Sequence, residues 1–243
     1  MDQAPWNICI DIEGFSALWG KPGDDDRVLW ALCELLRAVY RIGTWVYPKE
    51  PDRLFAIQAG DGVFLHSSFH EEKLDRAVAI AVVMMRHVAA HGRLAKVAIA
   101  EGEVGDINGC YPREVTDAQH KDGTVHIGAG RLITFPYMGP GIINSAVVAK
   151  RSPPGPLLIL PSAMRDRIPE DWPIKECSED HRLSAIDWVH LESDLVDRVQ
   201  RDGDLKGMNW QALENMLRGY CGIHAELPAR WRENVREFLN VEI

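Results

Sequence analysis

Two aspartates carry the most informative chemistry in this chain. Asp11 lies near the end of a mostly apolar run, Trp6 to Ile12, and is followed by Glu13, Gly14, Phe15 and Ser16. Asp61 sits between Gly60 and Gly62, and an Asp-Gly step between apolar runs predicts a hairpin tip. If the first strand lies beside that hairpin, both carboxylates reach one spot. Two hard oxygen ligands among small glycines suit Mg2+ or Mn2+ carrying a phosphate. Backbone N–H groups near Gly14, Phe15 and Ser16 would add donors for phosphate oxygens. Either aspartate alone reads first as an ordinary turn residue; their joint placement is what points to a metal-bound phosphate.

The elements that must position this pair follow from periodicity. Trp6 to Ile12 predicts a buried strand. Asp24, Asp25 and Asp26 predict a cap and acidic first turn, and Val28, Leu29, Leu32, Leu35, Leu36 and Val39 recur at helical spacing, with a stop at Gly43. Strands are expected over 53–59 and 63–68, a helix over 71–90, and a strand over 95–103. The core order is therefore strand, helix, strand, strand, helix, strand, an α+β, ferredoxin-like βαββαβ plan. Residues 106–123 read as a polar excursion, followed by a strand over 124–127. A helix from Asn144 to Lys150 is broken by Ser152-Pro153-Pro154-Gly155-Pro156. Further strands are expected over 157–160 and 183–191, then two helices, 210–220 and 229–239. The domain reading is a core over 1–192 and a C-terminal helical extension over 193–243 packed on it.

Composition narrows the class. The chain has 243 residues, 46% of them hydrophobic, enough for a sizeable core. Its net charge of −9 argues against a nucleic-acid partner, while leaving room for a nucleotide whose charge metal ions neutralise. Five scattered cysteines without a CxxC pair suggest neither a disulfide framework nor a zinc site and suit a reducing, cytoplasmic location. No signal peptide is visible in MDQAPWN, and the apolar run Ala77 to Met85 is too short to span a bilayer, so no membrane partner is expected. His87 and His91 are four apart, but without a further ligand in sequence they read as surface or packing residues, and the eight tryptophans read as core and interface anchors. Arg53 reads as a salt-bridged or solvated side chain.

At this point a resemblance becomes specific. Asp11-Ile12-Glu13-Gly14-Phe15-Ser16 resembles the first-metal motif of the class III nucleotide cyclases, the adenylate and guanylate cyclase superfamily. Gly60-Asp61-Gly62 resembles that family's second-metal hairpin. Val97 to Glu103 resembles its V-G-I-H-x-G-E strand, with Ala100 where His is common, and Gly139 to Ala146 resembles its Gly-x-x-Val-Asn-x-Ala segment with one residue inserted. The four motifs fall in order over residues 8–150. The resemblance implies a two-metal reaction, with two Mn2+ or Mg2+ ions held by Asp11, Asp61 and the backbone carbonyl of Ile12. It implies a homodimer with composite sites, in which Asn144 of the second chain positions the ribose. It also implies cyclisation of a nucleoside triphosphate to a 3′,5′-cyclic nucleotide and pyrophosphate.

The departures concern the base and the transition state. Purine cyclases read the base with Lys or Glu four residues before the second metal Asp; here that residue is Ile57. A second reader, seven residues before the Asn, is Tyr137, or Pro136 under the alternative alignment. Neither purine code is present, and a large aromatic favours a smaller base. That pattern resembles the bacterial Pycsar pyrimidine cyclases of antiphage defence, which implies UTP or CTP as substrate, cyclic UMP or cyclic CMP as messenger, and a separate effector that reads it. A purine cyclase, or a degenerate domain that binds nucleotide without turnover, is the alternative. The family's Arg four residues after the Asn is here Val148. Arg151 or Lys150 is the candidate substitute, and the same two residues read equally as a solvated pair at a helix C-terminus.

Overall fold

The computed structural model describes residues 4–18, 25–49, 53–224 and 226–243. The proposed cap at Asp24 and the first residues of the N-terminus lie outside them. The chain runs β1 (Trp6–Ile12), a short α1 (Phe15–Leu18), α2 (Asp25–Arg41), β2 (Leu54–Ala59), β3 (Gly62–Ser67), α3 (Asp75–Ala89) and β4 (Ala95–Glu101). This is the expected α+β plan of strand, helix, two strands, helix, strand. An arm follows, with β5 (Gly105–Asp106), α4 (Arg113–Asp117), β6 (Thr124–Ile127), β7 (Gly130–Ile133) and β8 (Tyr137–Met138). Next come α5 (Pro140–Arg151), β9 (Leu158–Pro161), β10 (Ile174–Glu176) and β11 (Leu183–Ile186), then α6 (Asp194–Asp202), α7 (Trp210–Ile223) and α8 (Ala229–Leu239).

Seven strands form one sheet in the order β10-β11-β9-β4-β1-β3-β2. All neighbours are antiparallel except β4 and β9, which pair in parallel. Trp6, Ile8, Ile10 and Ile12 of β1 alternate into the core with Val63 and Leu65 of β3. Asn7, Cys9 and Asp11 point the other way, and α5 covers the Asn7 end of that second face, where its Gly141 backbone lies against the Asn7 amide. The sheet is thus sandwiched at one end and open at Asp11.

Helix α3 is apolar all round because it is enclosed all round: the sheet, α2, α6 and α7 contact it on different sides. It starts later than periodicity predicts, at Asp75. The residues before it are tied instead to the segment 162–167, where Leu74 N–H donates to Arg167 O at 2.9 Å and Arg167 Nε donates to Glu72 O at 3.0 Å. Gly43 does not stop α2. The helix widens into a π turn, Ile42–Val46, closed by Tyr47 N–H on Ile42 O at 3.0 Å and anchored by the buried Ile42. The strand expected to reach Leu191 ends at Ile186, because the carbonyls of Trp188, Val189 and Leu191 turn to accept from the buried Arg86 guanidinium. Among the described residues three helices, not two, follow β11. The unpredicted α6 begins at Ser193, whose hydroxyl accepts from Leu195 N–H, and it buries Val196 and Val199. Among the described residues no helix is long and apolar enough to cross a membrane.

His87 and His91 gain a third polar neighbour that sequence spacing does not reveal, Glu34 of α2. The three side chains bring ligand-type atoms within 4.8 Å of one another. His87 Nδ1 accepts from the Lys206 backbone N–H at 3.0 Å, so the proton of the neutral ring is on Nε2, where it donates to Glu34 at 3.2 Å. His87 then has no lone pair to offer an ion, and the cluster reads as a lock between α2, α3 and the segment joining α6 to α7. Burial, then the neighbouring His91, holds the His87 pKa below its ordinary value, with Glu34 acting the other way. Arg37 also reaches the Glu34 carboxylate. Because the folded pKa is depressed, the unfolded chain takes up this proton first. The stability of the neutral lock is complete above the unfolded value of about 6.5 and declines as pH falls from there towards the folded value. The melting temperature is expected to fall between pH 7 and pH 5, with a shallower slope in His87→Gln. Equal slopes for the two proteins would remove His87 from the cause.

Candidate active site

Register places the polar face of the sheet side by side. In β1 and β3, Asp11 lies opposite Gly62, Cys9 opposite Phe64 and Asn7 opposite His66. In β2, Ile57 lies opposite Phe64 and Phe55 opposite His66. On the other flank, Lys96 of β4 lies opposite Asp11. With a period of two, all of these project to one face.

At the open end of this face the Asp11 and Asp61 side chains come within hydrogen-bonding reach of each other. Asp61 is delivered by the turn at Gly60, whose φ of +64° suits glycine. Partial burial, then the negative charge of Asp61, pushes the Asp11 pKa up to about 6, while the Ile12 N–H on its carboxylate acts in the opposite sense. Two carboxylates pressed together at the strand ends, one still facing solvent, form an oxygen donor set whose repulsion a divalent cation relieves. The residues present therefore fit Mg2+ or Mn2+.

Gly62 makes the approach possible. A Cβ there would lie 2.6 Å from Ile10 O and 3.1 Å from Asp11 Oδ1, so the strand pair closes around the carboxylate only with glycine. Gly62→Ala is expected to displace Asp11 and to weaken Mn2+ affinity by more than about tenfold, at a stability cost on the order of 1–3 kcal/mol. Calorimetric titration with Mn2+ and thermal melting would check both. Unaltered affinity would show that the close packing does not set the carboxylate position.

The turn after Asp11 is held from a distance. Glu13 N–H donates to Leu94 O at 2.9 Å, and the Glu13 carboxylate accepts from Trp231 Nε1 of α8 at 3.0 Å. Burial raises the Glu13 pKa, opposed by Lys96 and by the Trp231 bond. Lys96 Nζ donates to Ser152 O at 3.1 Å; burial lowers its pKa, against the pull of Glu13 and then Asp11. Gly14, with φ +74°, turns the chain into α1, where Phe15 packs against the core and Ser16 is exposed.

Beside the aspartates lies an apolar slot. Phe55, Ile57, Phe64, Val104, Tyr137 and Ile142 form its walls, with His66 and Asp106 adding the polar atoms. A contiguous groove runs from it past Gln58 and Ala59 to Gly60, beside Asp61. The pairing of β5 with β8 sets Tyr137 opposite Asp106, and the Phe55 and Tyr137 rings are 6.2 Å apart. The structure thus brings Asp11 and Asp61 together, and Ile57 and Tyr137 together in the slot on the same sheet face.

Helix α5 carries the remaining candidates. Asn144 Nδ2 donates to Glu101 O at 2.9 Å. Val148 is buried, Lys150 is exposed, and Arg151 is engaged by the Asp180 carboxylate. Arg182, then Arg151, holds Asp180 well below the usual carboxylate range. Arg151 is therefore placed on Asp180, at the far end of α5 from the slot. Sequence reasoning overlooked His66, Lys96 and the Glu13–Trp231 contact. Only His66 carried a local signal, its even spacing from Phe64 on the strand leaving the Asp-Gly hairpin.

No protein-family model and no curated protein matches the chain. Solved structures do show likenesses. One is a bacterial light-regulated adenylyl cyclase, with TM-score 0.47 and 15% identity, covering 87% of this chain and 56% of that one. Another is the catalytic core of a rhodopsin-guanylyl cyclase with converted specificity in complex with ATPαS, with TM-score 0.47 and 10% identity, covering 75% of this chain and 93% of that one. A third is a class III adenylyl cyclase-like ATP-binding protein from Pseudomonas aeruginosa, with TM-score 0.43 and 12% identity, covering 81% of this chain and 40% of that one. The chain spans about half the length of the first of these. Likeness at this level carries no weight for activity, which rests on the site itself.

Proposed function

We propose that this chain is a nucleotide cyclase that converts a pyrimidine nucleoside triphosphate, UTP or CTP, to the 3′,5′-cyclic monophosphate and pyrophosphate. The observation that carries the reading is the meeting of Asp11 and Asp61 on the sheet face that also carries an apolar, aromatic-walled slot. That arrangement offers a cation site for a triphosphate and a separate seat for a base. The four motifs described above support the same reading.

Two Mn2+ or Mg2+ ions bound there would supply acidity for the ribose 3′-hydroxyl and neutralise the triphosphate. Asp11, Asp61 and the Ile12 carbonyl would hold them. The N–H groups of Gly14, Phe15 and Ser16 would orient phosphate oxygens at the turn into α1. In the reaction the 3′-oxygen bonds to the α-phosphorus, the bond to the β-phosphate oxygen breaks, and the 3′ proton leaves to solvent or base. Ile57 and Tyr137 would narrow the slot around a single-ring base by sterics. The cyclic nucleotide would act as a second messenger for a separate effector.

A homodimer with composite sites belongs to this proposal, Asn144 of each chain positioning the ribose at the other chain's aspartates, where Arg151 would join it only on leaving Asp180. Its support is an exposed apolar band: Ile133 and Phe135 on the arm, Met138 in β8, and Ile143 and Val147 on α5. Ile143→Asp is expected to yield a monomer by analytical ultracentrifugation and to lose turnover with it. A dimer that persists in this variant and in Phe135→Asp would place the interface elsewhere.

A second reading, a nucleotide-binding domain without turnover, is favoured by one observation: Val148 is buried where a cationic side chain is expected, and Arg151 is engaged by Asp180. Incubating the protein with ATP, GTP, CTP and UTP, each with Mn2+, and identifying products by chromatography decides. Cyclic UMP or cyclic CMP supports the proposal. A cyclic purine overturns the base assignment, and Mn2+-dependent binding without product favours the second reading.

A further inference from the structure

The slot contains a histidine whose tautomer is set by a chain of two hydrogen bonds. Asn7 is buried beneath the start of α5, and its Nδ2 donates to the Gly102 carbonyl at 2.8 Å. A carbonyl only accepts, so the amide can face only one way. Asn7 Oδ1 then faces His66 Nδ1 at 2.9 Å. That oxygen also only accepts, so His66 carries its hydrogen on Nδ1. In the neutral ring this leaves Nε2 as an acceptor. Burial lowers the His66 pKa, with Glu103 opposing, which favours the neutral ring. No hydrogen bond joins Nε2 to any of the described residues. The ring is stacked near Phe55, with centroids 6.1 Å apart and planes inclined by 29°, and it lines the slot.

We propose that His66 is a specificity-determining residue, its Nε2 accepting an N–H from the edge of a pyrimidine base seated between Phe64 and Tyr137. This rests on the reading of the slot as the base site of a nucleotide cyclase. A base seated in the apolar slot strips water from this acceptor, which is then costly to leave unpaired. A base donor satisfies it, whereas a carbonyl or a methylated nitrogen at the same point does not. Asp106, across from Tyr137, is also acceptor-only when ionised, and one of its oxygens already takes the Asn108 N–H at 2.8 Å. The polar atoms of the slot therefore favour a base that offers N–H, which among single-ring bases is the imide of uracil or the amino group of cytosine.

The test uses the full chain with Mn2+ and four nucleotides, UTP, N3-methyl-UTP, CTP and N4,N4-dimethyl-CTP, following both binding and turnover. The wild type should prefer the parent of the recognised pair by about 100-fold, since a site built for an N–H rejects its absence strongly. His66→Phe should bind that parent about tenfold more weakly and treat parent and methylated forms alike. Retained discrimination in His66→Phe, or none in the wild type, overturns the proposal, as does failure of the wild type to bind any of the four. Cyclisation with unchanged selectivity in the variant removes His66 and leaves the cyclase reading standing. His66-dependent discrimination in binding without product does the reverse. If His66→Phe does not fold, His66→Gln and the wild-type preference between parent and methylated nucleotides supply the answer.

Discussion

Asp61→Ala is expected to lower Mn2+-supported turnover by at least about 1,000-fold, because it removes one of the two carboxylates that hold the ions. The same substitution has an opposite effect on the ion-free fold. Asp11 and Asp61 lie within hydrogen-bonding reach, and the charge of Asp61 helps push Asp11 up to a pKa of about 6. Deleting Asp61 relieves that repulsion, so the ion-free variant should melt at or above the wild-type temperature. Mn2+ at 100 times its Kd should stabilise the wild type by roughly 2.7 kcal/mol and the variant hardly at all. The paired readout separates a ligand role from a folding role, since a misfolded variant would melt lower in both conditions. An unchanged Mn2+ response in Asp61→Ala would exclude the pair as a metal site.

Trp231→Ala is expected to destabilise the fold by about 3–5 kcal/mol. The indole is wholly enclosed and stacks on Tyr220 of α7 with centroids 6.0 Å apart. It also donates to Glu13, two residues after Asp11. The two roles separate in Trp231→Phe, which keeps most of the packing and loses the N–H. That variant should fold with a smaller loss of stability and still show weakened Mn2+ affinity, because the turn carrying Gly14 to Ser16 loses its tether. Calorimetric Mn2+ titration alongside thermal melting reads both effects. Full Mn2+ affinity in a folded Trp231→Phe would make α8 a packing element only.

Local pattern determined a good deal of this molecule. The apolar run Trp6 to Ile12, the Asp-Gly hairpin at Asp61 and the 3.6-residue periodicity of α2 and α3 each encode an element within a few residues of chain, and together they specify the α+β order of the core. They also specify that two acidic side chains lie at strand ends where they can meet. The element ends were less legible. Gly43 yielded to the pull of buried Ile42, and the strand after Leu183 was cut short by the buried guanidinium of Arg86, reaching in from α3.

The tertiary structure decided what depends on partners far apart in sequence. His66 takes its tautomer from Asn7, 59 residues away, and Asn7 takes its orientation from Gly102. Glu13 finds Trp231 across 218 residues, and Arg151 finds Asp180 across 29. Glu34 turns the His87–His91 pair into a lock that spacing alone did not suggest. The physical reason is common to all of these. Helix and strand periodicity select a face for a side chain, but strand register and helix packing select its neighbour. Polar chemistry, unlike hydrophobic burial, depends on that one neighbour and on which of its atoms carries the hydrogen.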